Sequence, residues 1–375
     1  MSDERVNELD GLRGIAVIMV IALHTFNRAN VFTHHETLYF ITSLTSIGWV
    51  GVDIFFVLSG FLITSILLRT REREGYFKNF YMRRVLRIFP LYFFCVAIII
   101  FLTPTLDPDF SSQIPRVLPI LILYQQNWIG IFGGVWLTQY LSVTWSLAIE
   151  EQFYFVWPAI VYFMRKEVLI KTSIGIIVLS ILVRILGVLF WDNVSQVTLF
   201  FFYNTFTRFE QLVFGALLAI AFTFRGWKER LRPISFPVFL ISLIAFLTLC
   251  IISLPNDPHP AHNNIPLTIA GYTLASVFSA ALIAFLLLNN KKTVAHKFFQ
   301  NSFLVFYGKH SYAMYLIHLP VALILLDALW HTGIRGWKMY SVYIVLTYGI
   351  TAILSLLTWH LLEKHMLNLK KYFEY

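Results

Sequence analysis

A chain of 375 residues that is 58% hydrophobic and only 13% charged is too apolar to be two or three soluble domains. Its formal net charge of +9 does not point to nucleic acid, because lysine and arginine sit in short clusters between apolar runs of about 20 residues, the length that crosses roughly 30 Å of hydrocarbon. The two cysteines, Cys95 and Cys250, both lie inside apolar runs, which argues against a disulfide framework and for small apolar side chains.

The chain opens on the polar run Ser2 to Asp10. That run is acidic rather than basic, so no cleaved leader is expected and the first apolar run should itself direct insertion. Apolar runs follow near residues 12–30, 44–68, 88–104, 145–164, 168–190, 199–224, 234–254, 266–288, 303–330 and 340–362. Thr105 to Thr144 is expected to be a loop or a re-entrant piece, because the apolar run Val117 to Tyr124 is too short to cross and Gln125, Gln126 and Asn127 follow it. With ten spans and both termini cytoplasmic, about 22 of the 29 lysines and arginines fall on the cytoplasmic side, as the positive-inside rule asks. An eleventh span would spoil that asymmetry. The expected fold is therefore an all-α integral membrane protein, a polytopic bundle of about ten transmembrane helices that makes residues 1–375 a single membrane domain.

Ionisable groups inside a span cost about 3 kcal/mol or more at its centre, so each one kept there needs a reason. They are His24, Asp53, Glu150, Glu151, Arg184, Arg208, Glu210, Lys309, His310 and His318, with Arg13 and Arg87 at the cytoplasmic margins. Arg13 and His24 are eleven residues apart, so at about 3.6 residues per turn they share one helix face roughly 16 Å apart along the axis. An arginine can grip a phosphate or carboxylate, and a histidine can take a proton from a hydroxyl and hand it to a leaving group. Equally, Arg13 could reach the headgroups and His24 could bond a neighbouring helix. Arg84 and Arg87 share a face where the third span begins and suit a polyphosphate, although a cytoplasmic joint attracts arginine for topology alone. Glu150 and Glu151 point about 100° apart on the fourth span, so one is expected to orient a basic group while the other faces a cavity. Arg208 and Glu210 could pair with each other. The Gly-rich phosphate loop, the His-Glu-x-x-His zinc helix, cysteine pairs and the serine-hydrolase elbow are all missing from the sequence, and no metal is expected.

Several segments together resemble the acyltransferase-3 family of membrane O-acyltransferases. Leu9 to Ala16 with the later His24 is similar to that family's first-span signature, a basic residue, ten intervening residues and a histidine. Gly51 to Leu62 is similar to its second-span signature, Arg84 and Arg87 to its Arg-x-x-Arg motif, and Trp145 to Pro158 and Ser311 to His318 to two further characteristic segments. His365 stands where family members often carry proline.

This resemblance implies transfer of an acyl group, usually acetyl from acetyl-CoA, to a hydroxyl of a sugar in a cell-surface polysaccharide, a lipopolysaccharide O-antigen or a related glycan. The expected setting is the bacterial cytoplasmic (inner) membrane, with an acyl-CoA donor, a carbohydrate or lipid-linked glycan acceptor, surrounding lipid and no nucleic acid. Arg84 and Arg87 would bind the donor, Arg13 would guide it, His24 would be the general base, and Glu150 or Glu151 would fix its tautomer. No C-terminal hydrolase-like domain is expected. Aromatic residues along Val117 to Tyr140 could line a sugar site or anchor the interface. A proton-coupled transporter or flippase of an envelope precursor, a macrolide O-acyltransferase and a sensor that has lost catalysis are the alternatives.

Overall fold

The computed structural model describes residues 6–32, 36–132, 137–190, 193–253, 264–289 and 293–374, and among them all regular structure is helical. The start of the Ser2 to Asp10 run, residues 133–136 of the aromatic stretch and the end of the run at 234–254 lie outside the described residues. Ten long helices fall on the ten apolar runs: α1 (Asn7–Ala29), α2 (Val50–Thr70), α3 (Tyr76–Leu106), α4 (Trp145–Phe163), α5 (Lys166–Phe190), α6 (Thr205–Ala221), α7 (Trp227–Ser253), α8 (Tyr272–Leu288), α9 (Ser311–Trp330) and α10 (Trp337–Thr358).

Eight of these stretches are long and apolar enough to cross a membrane. The other two, α4 and α6, fall short for reasons visible in their side chains. The first carries Glu150, Glu151 and Gln152 in succession, and the second has only 17 residues and carries Arg208 and Glu210. The third helix begins at Tyr76, well before the apolar run, and its 31 residues reach about 46 Å at 1.5 Å per residue. Its arginine-bearing first turns therefore extend beyond a hydrocarbon layer of roughly 30 Å.

The chain separates into two compact units that interleave along the sequence. The first comprises Met1–Met19, Trp49–Arg71 and Ile149–Lys309, with α2, α6 and α8 at its centre. Gly60 and Gly215 mark the crossing of α2 and α6. A methyl on Gly60 would collide with the carbonyl of Leu212, and one on Gly215 with that of Val57, so these glycines let two main chains touch. The fourth helix is pinned to α2 by the Trp157 indole N–H, which donates to Thr64 Oγ1 at 2.8 Å, and by a hydroxyl contact between Ser59 and Tyr154.

The second unit comprises Val20–Gly48, Glu72–Ala148 and His310–Tyr375. Ala29, Phe32, Ala322, Met339, Tyr340 and Tyr343 form a buried apolar cluster in it, closed by the Gly336 N–H donating to the Phe32 carbonyl at 2.7 Å. The connection from α3 to α4 contains no helix longer than the nine residues Ile114–Ile122 among the described residues, too few to cross. It is nonetheless tightly held. Tyr124 stacks on Tyr92 at 4.4 Å, the Tyr92 hydroxyl donates to Leu121 O at 3.0 Å, and Gln126 donates to Thr144 O at 2.9 Å.

Candidate active site

In the second unit, α1 and α9 bring two histidines together. His24 Nδ1 lies 3.1 Å from His318 Nε2, with the ring centroids 5.1 Å apart and the planes tilted by 46°. His24 Nδ1 is also 3.0 Å from the carbonyl of Val20, one turn earlier on α1. One turn later, Arg28 Nη1 donates to the His24 carbonyl at 3.0 Å. His318 is fully buried, and its Nδ1 is 2.7 Å from Tyr315 O and 3.2 Å from Met314 O; His24 is half-buried. The turn of α9 that carries His318 is anchored by tyrosines spaced three residues apart, which therefore share a face. The Tyr315 hydroxyl donates to Val143 O at 3.0 Å, and that of Tyr312 donates to Ile88 O at 2.7 Å.

The same unit gathers positive charge at the start of α3. Arg83, Arg84 and Arg87 are each half-buried. The C-terminal segment lies against them, with Arg83 Nη1 donating to Phe373 O at 3.1 Å and Asn79 Nδ2 to Glu374 O at 2.6 Å. Half-buried Lys370 thereby comes within electrostatic reach of all three arginines, and Glu363 within reach of Arg87. Burial, and then the three neighbouring guanidinium groups, push the pKa of the Lys370 amine down to about 6, the mark of crowded positive charge that an anion with several oxygens would relieve.

Arg13, Glu150 and Glu151 belong to the first unit, and all three are half-buried. Immediately after the two glutamates, Gln152 Oε1 accepts from Thr205 Oγ1 at 2.6 Å. The first unit also pairs four of the charges singled out as misplaced in lipid. Arg208 Nη2 meets Asp53 Oδ1 at 2.6 Å, and Arg184 Nη2 meets Glu210 Oε2 at 2.7 Å, with all four side chains fully buried. Thr273 Oγ1 links the second pair, accepting from Arg184 and donating to Glu210, each at 2.9 Å. The Arg208 guanidinium also lies 4.3 Å from the centre of the Tyr272 ring. Arg208 and Glu210 thus do not pair with each other: residues two apart point to opposite sides of a helix, so each reaches a different neighbour.

Two residues beside these groups are not marked by the sequence as part of the site. His318 stood among the ionisable groups within spans and closed a motif, yet only the contact with His24 links it to that ring. Lys370 carried no signal beyond belonging to a basic terminus. Among the described residues no group of three or more His, Cys, Asp or Glu is placed to hold a metal ion.

A sequence model for a family described as an acyltransferase domain matches residues 6–360. The chain is 29% identical over 384 residues to the peptidoglycan O-acetyltransferase of Listeria monocytogenes, covering 96% of this chain and 56% of that protein. It is also 29% identical over 324 residues to a Staphylococcus aureus protein named "Putative O-acetyltransferase", covering 84% of this chain and 50% of that one. The chain spans about half the length of the curated relatives it matches. No solved structure matches.

Proposed function

The chain belongs to the acyltransferase-3 family, and from that premise we propose that it is a membrane O-acetyltransferase. In this reading it moves an acetyl group from acetyl-CoA to a hydroxyl of a cell-envelope glycan, peptidoglycan being one such polymer. It is a single membrane domain crossing the bacterial cytoplasmic membrane ten times with both termini inside; α4 and α6 complete the count, with Arg208 and Glu210 of α6 fully buried and paired within the protein.

Arg84 and Arg87, joined by Lys370, bind the phosphates of the donor. Paired guanidinium forks match phosphate oxygens, and a lysine adds a point charge. Arg13, on the same helix as His24, guides the donor inward. His24 takes the proton of the acceptor hydroxyl, whose oxygen attacks the acetyl carbonyl carbon. The C–S bond breaks, and the proton passes from His24 to the departing thiolate, so the ring ends as it began.

The observation that carries this reading is His24 itself: an ionisable ring inside the first span of a family-matching chain, held at Nδ1 by protein acceptors rather than turned to solvent. As for a transporter that relays protons through buried carboxylates, Asp53 and Glu210 are each already bound by an arginine within 2.7 Å.

The test is transfer of labelled acetyl from acetyl-CoA to envelope glycan by membranes containing the protein, with mass spectrometry of glycans from cells with and without the gene. A general base contributes about 10²- to 10⁴-fold, so His24→Ala should reduce transfer by that order with membrane insertion intact. Native-rate transfer by a normally inserted His24→Ala protein would reject histidine as the base. Substrate movement driven by a pH gradient, with no acetylated product, would favour the transporter.

A further inference from the structure

We propose that His318 is a positioning residue that fixes the tautomer and ring orientation of His24, an inference that rests on His24 being the base. The hydrogen-bond geometry runs in one direction. His318 Nδ1 lies 2.7 Å from Tyr315 O and 3.2 Å from Met314 O. Carbonyl oxygens only accept, so the hydrogen of the neutral ring is on Nδ1 and a lone pair is on Nε2. That lone pair faces His24 Nδ1 at 3.1 Å. Two lone pairs cannot bond, so His24 Nδ1 carries its hydrogen and donates. The Val20 carbonyl, 3.0 Å from the same nitrogen, makes the same demand. The lone pair of neutral His24 is therefore on Nε2.

A solvated histidine side chain favours the opposite tautomer, with its hydrogen on Nε2, so the protein selects the form that leaves Nε2 basic. His318 performs the part that a carboxylate plays beside the histidine of a hydrolytic triad. A neutral ring suits this place because His318 is fully buried, where an unpaired carboxylate would carry a large desolvation cost. When His24 takes up the hydroxyl proton, its Nδ1–H bond to His318 becomes charge-assisted and strengthens as the imidazolium forms. The tyrosine anchors at Tyr312 and Tyr315 hold the turn that aims His318. This accounts for a polar, tyrosine-rich segment in a helix that is otherwise apolar.

The experiment uses full-length protein labelled with ¹⁵N-histidine in lipid nanodiscs, with the His24 ring resonances assigned by their loss in His24→Ala. Native protein should show hydrogen on Nδ1 and a pyridine-type Nε2. His318→Phe keeps a ring but removes the acceptor. It should shift His24 toward the Nε2–H form and lower kcat by about 10- to 100-fold, the usual cost of losing an orienting partner, with KM for acetyl-CoA little changed. His318→Gln, whose side-chain carbonyl can stand where Nε2 stood, should restore the native tautomer and much of kcat. Hydrogen on Nε2 of His24 in the native protein would overturn the proposal, and this readout needs no variant to fold. A native His24 spectrum together with native kcat in His318→Phe would also overturn it. If His24→Ala transfers acetyl normally while the spectra behave as expected, the base assignment fails and the His318 contact stands; the converse pattern fails only the His318 proposal.

Discussion

Removing the carboxylate of Asp53 tests the buried charge pairs directly. Arg208 Nη2 and Asp53 Oδ1 are 2.6 Å apart with neither side chain exposed. At an effective dielectric near 20, unit charges at that separation attract by about 6 kcal/mol, while each ion has cost several kcal/mol to take out of water. The intact pair is thus worth little net, but Asp53→Ala leaves the guanidinium desolvated without its counterion, a loss of about 3–5 kcal/mol. The Tyr272 ring beneath Arg208 is worth about 2 kcal/mol or more, but it is present before and after the substitution and so does not remove the penalty. Arg208→Met alone should cost a similar amount, whereas the double variant should cost much less than the two together, because no charge is left stranded. Thermal unfolding in detergent, followed by loss of the monodisperse peak in size-exclusion chromatography, should show each single variant lower by on the order of 10 °C and the double variant between them and the native protein. Additive losses in the double variant, or single variants melting with the native protein, would refute the reasoning.

At the donor cluster, Arg84→Ala and Arg87→Ala should each raise KM for acetyl-CoA by about tenfold or more, the worth of a charge-assisted hydrogen bond, with kcat largely kept. Lys370→Ala should raise KM by a smaller factor in the same assay, and unchanged donor affinity in all three would return the cluster to a purely topological role. Gly215→Leu should drive α2 and α6 apart, costing about 1–3 kcal/mol or more by overpacking, and would be read as reduced yield of folded protein. Phe206→Leu, at an exposed position of the same helix, serves as the control for helix tolerance.

Span by span, the helices were legible because crossing lipid demands long apolar runs, although the runs at 199–224 and 303–330 are each broken into two helices, at Asn204 and at His310. The start of α3 was not, since Tyr76 to Arg87 is too polar to register as apolar and owes its helical form to continuity with the run that follows. The pairing of Arg208 with Asp53 was equally hidden: residues 155 apart leave no periodic trace in one sequence. His24 and Arg84 stood out as candidates because their spacing is similar to a family pattern. Lys370 was not, because its neighbours on α3 lie close to 290 residues away in sequence, as the Arg83 to Phe373 contact shows.

What the sequence alone determined was solvent and inventory: composition dictated lipid surroundings, and lipid in turn made every charge within a span conspicuous. Which charge meets which was decided only by the fold. Helical geometry lets a residue choose among neighbours three or four positions away, but the Asp53, Arg184, His24 and His318 partners come from separate helices. Their distances are set by how those helices pack, as at the glycine contact of α2 and α6, and packing is a property of surfaces that no single segment carries.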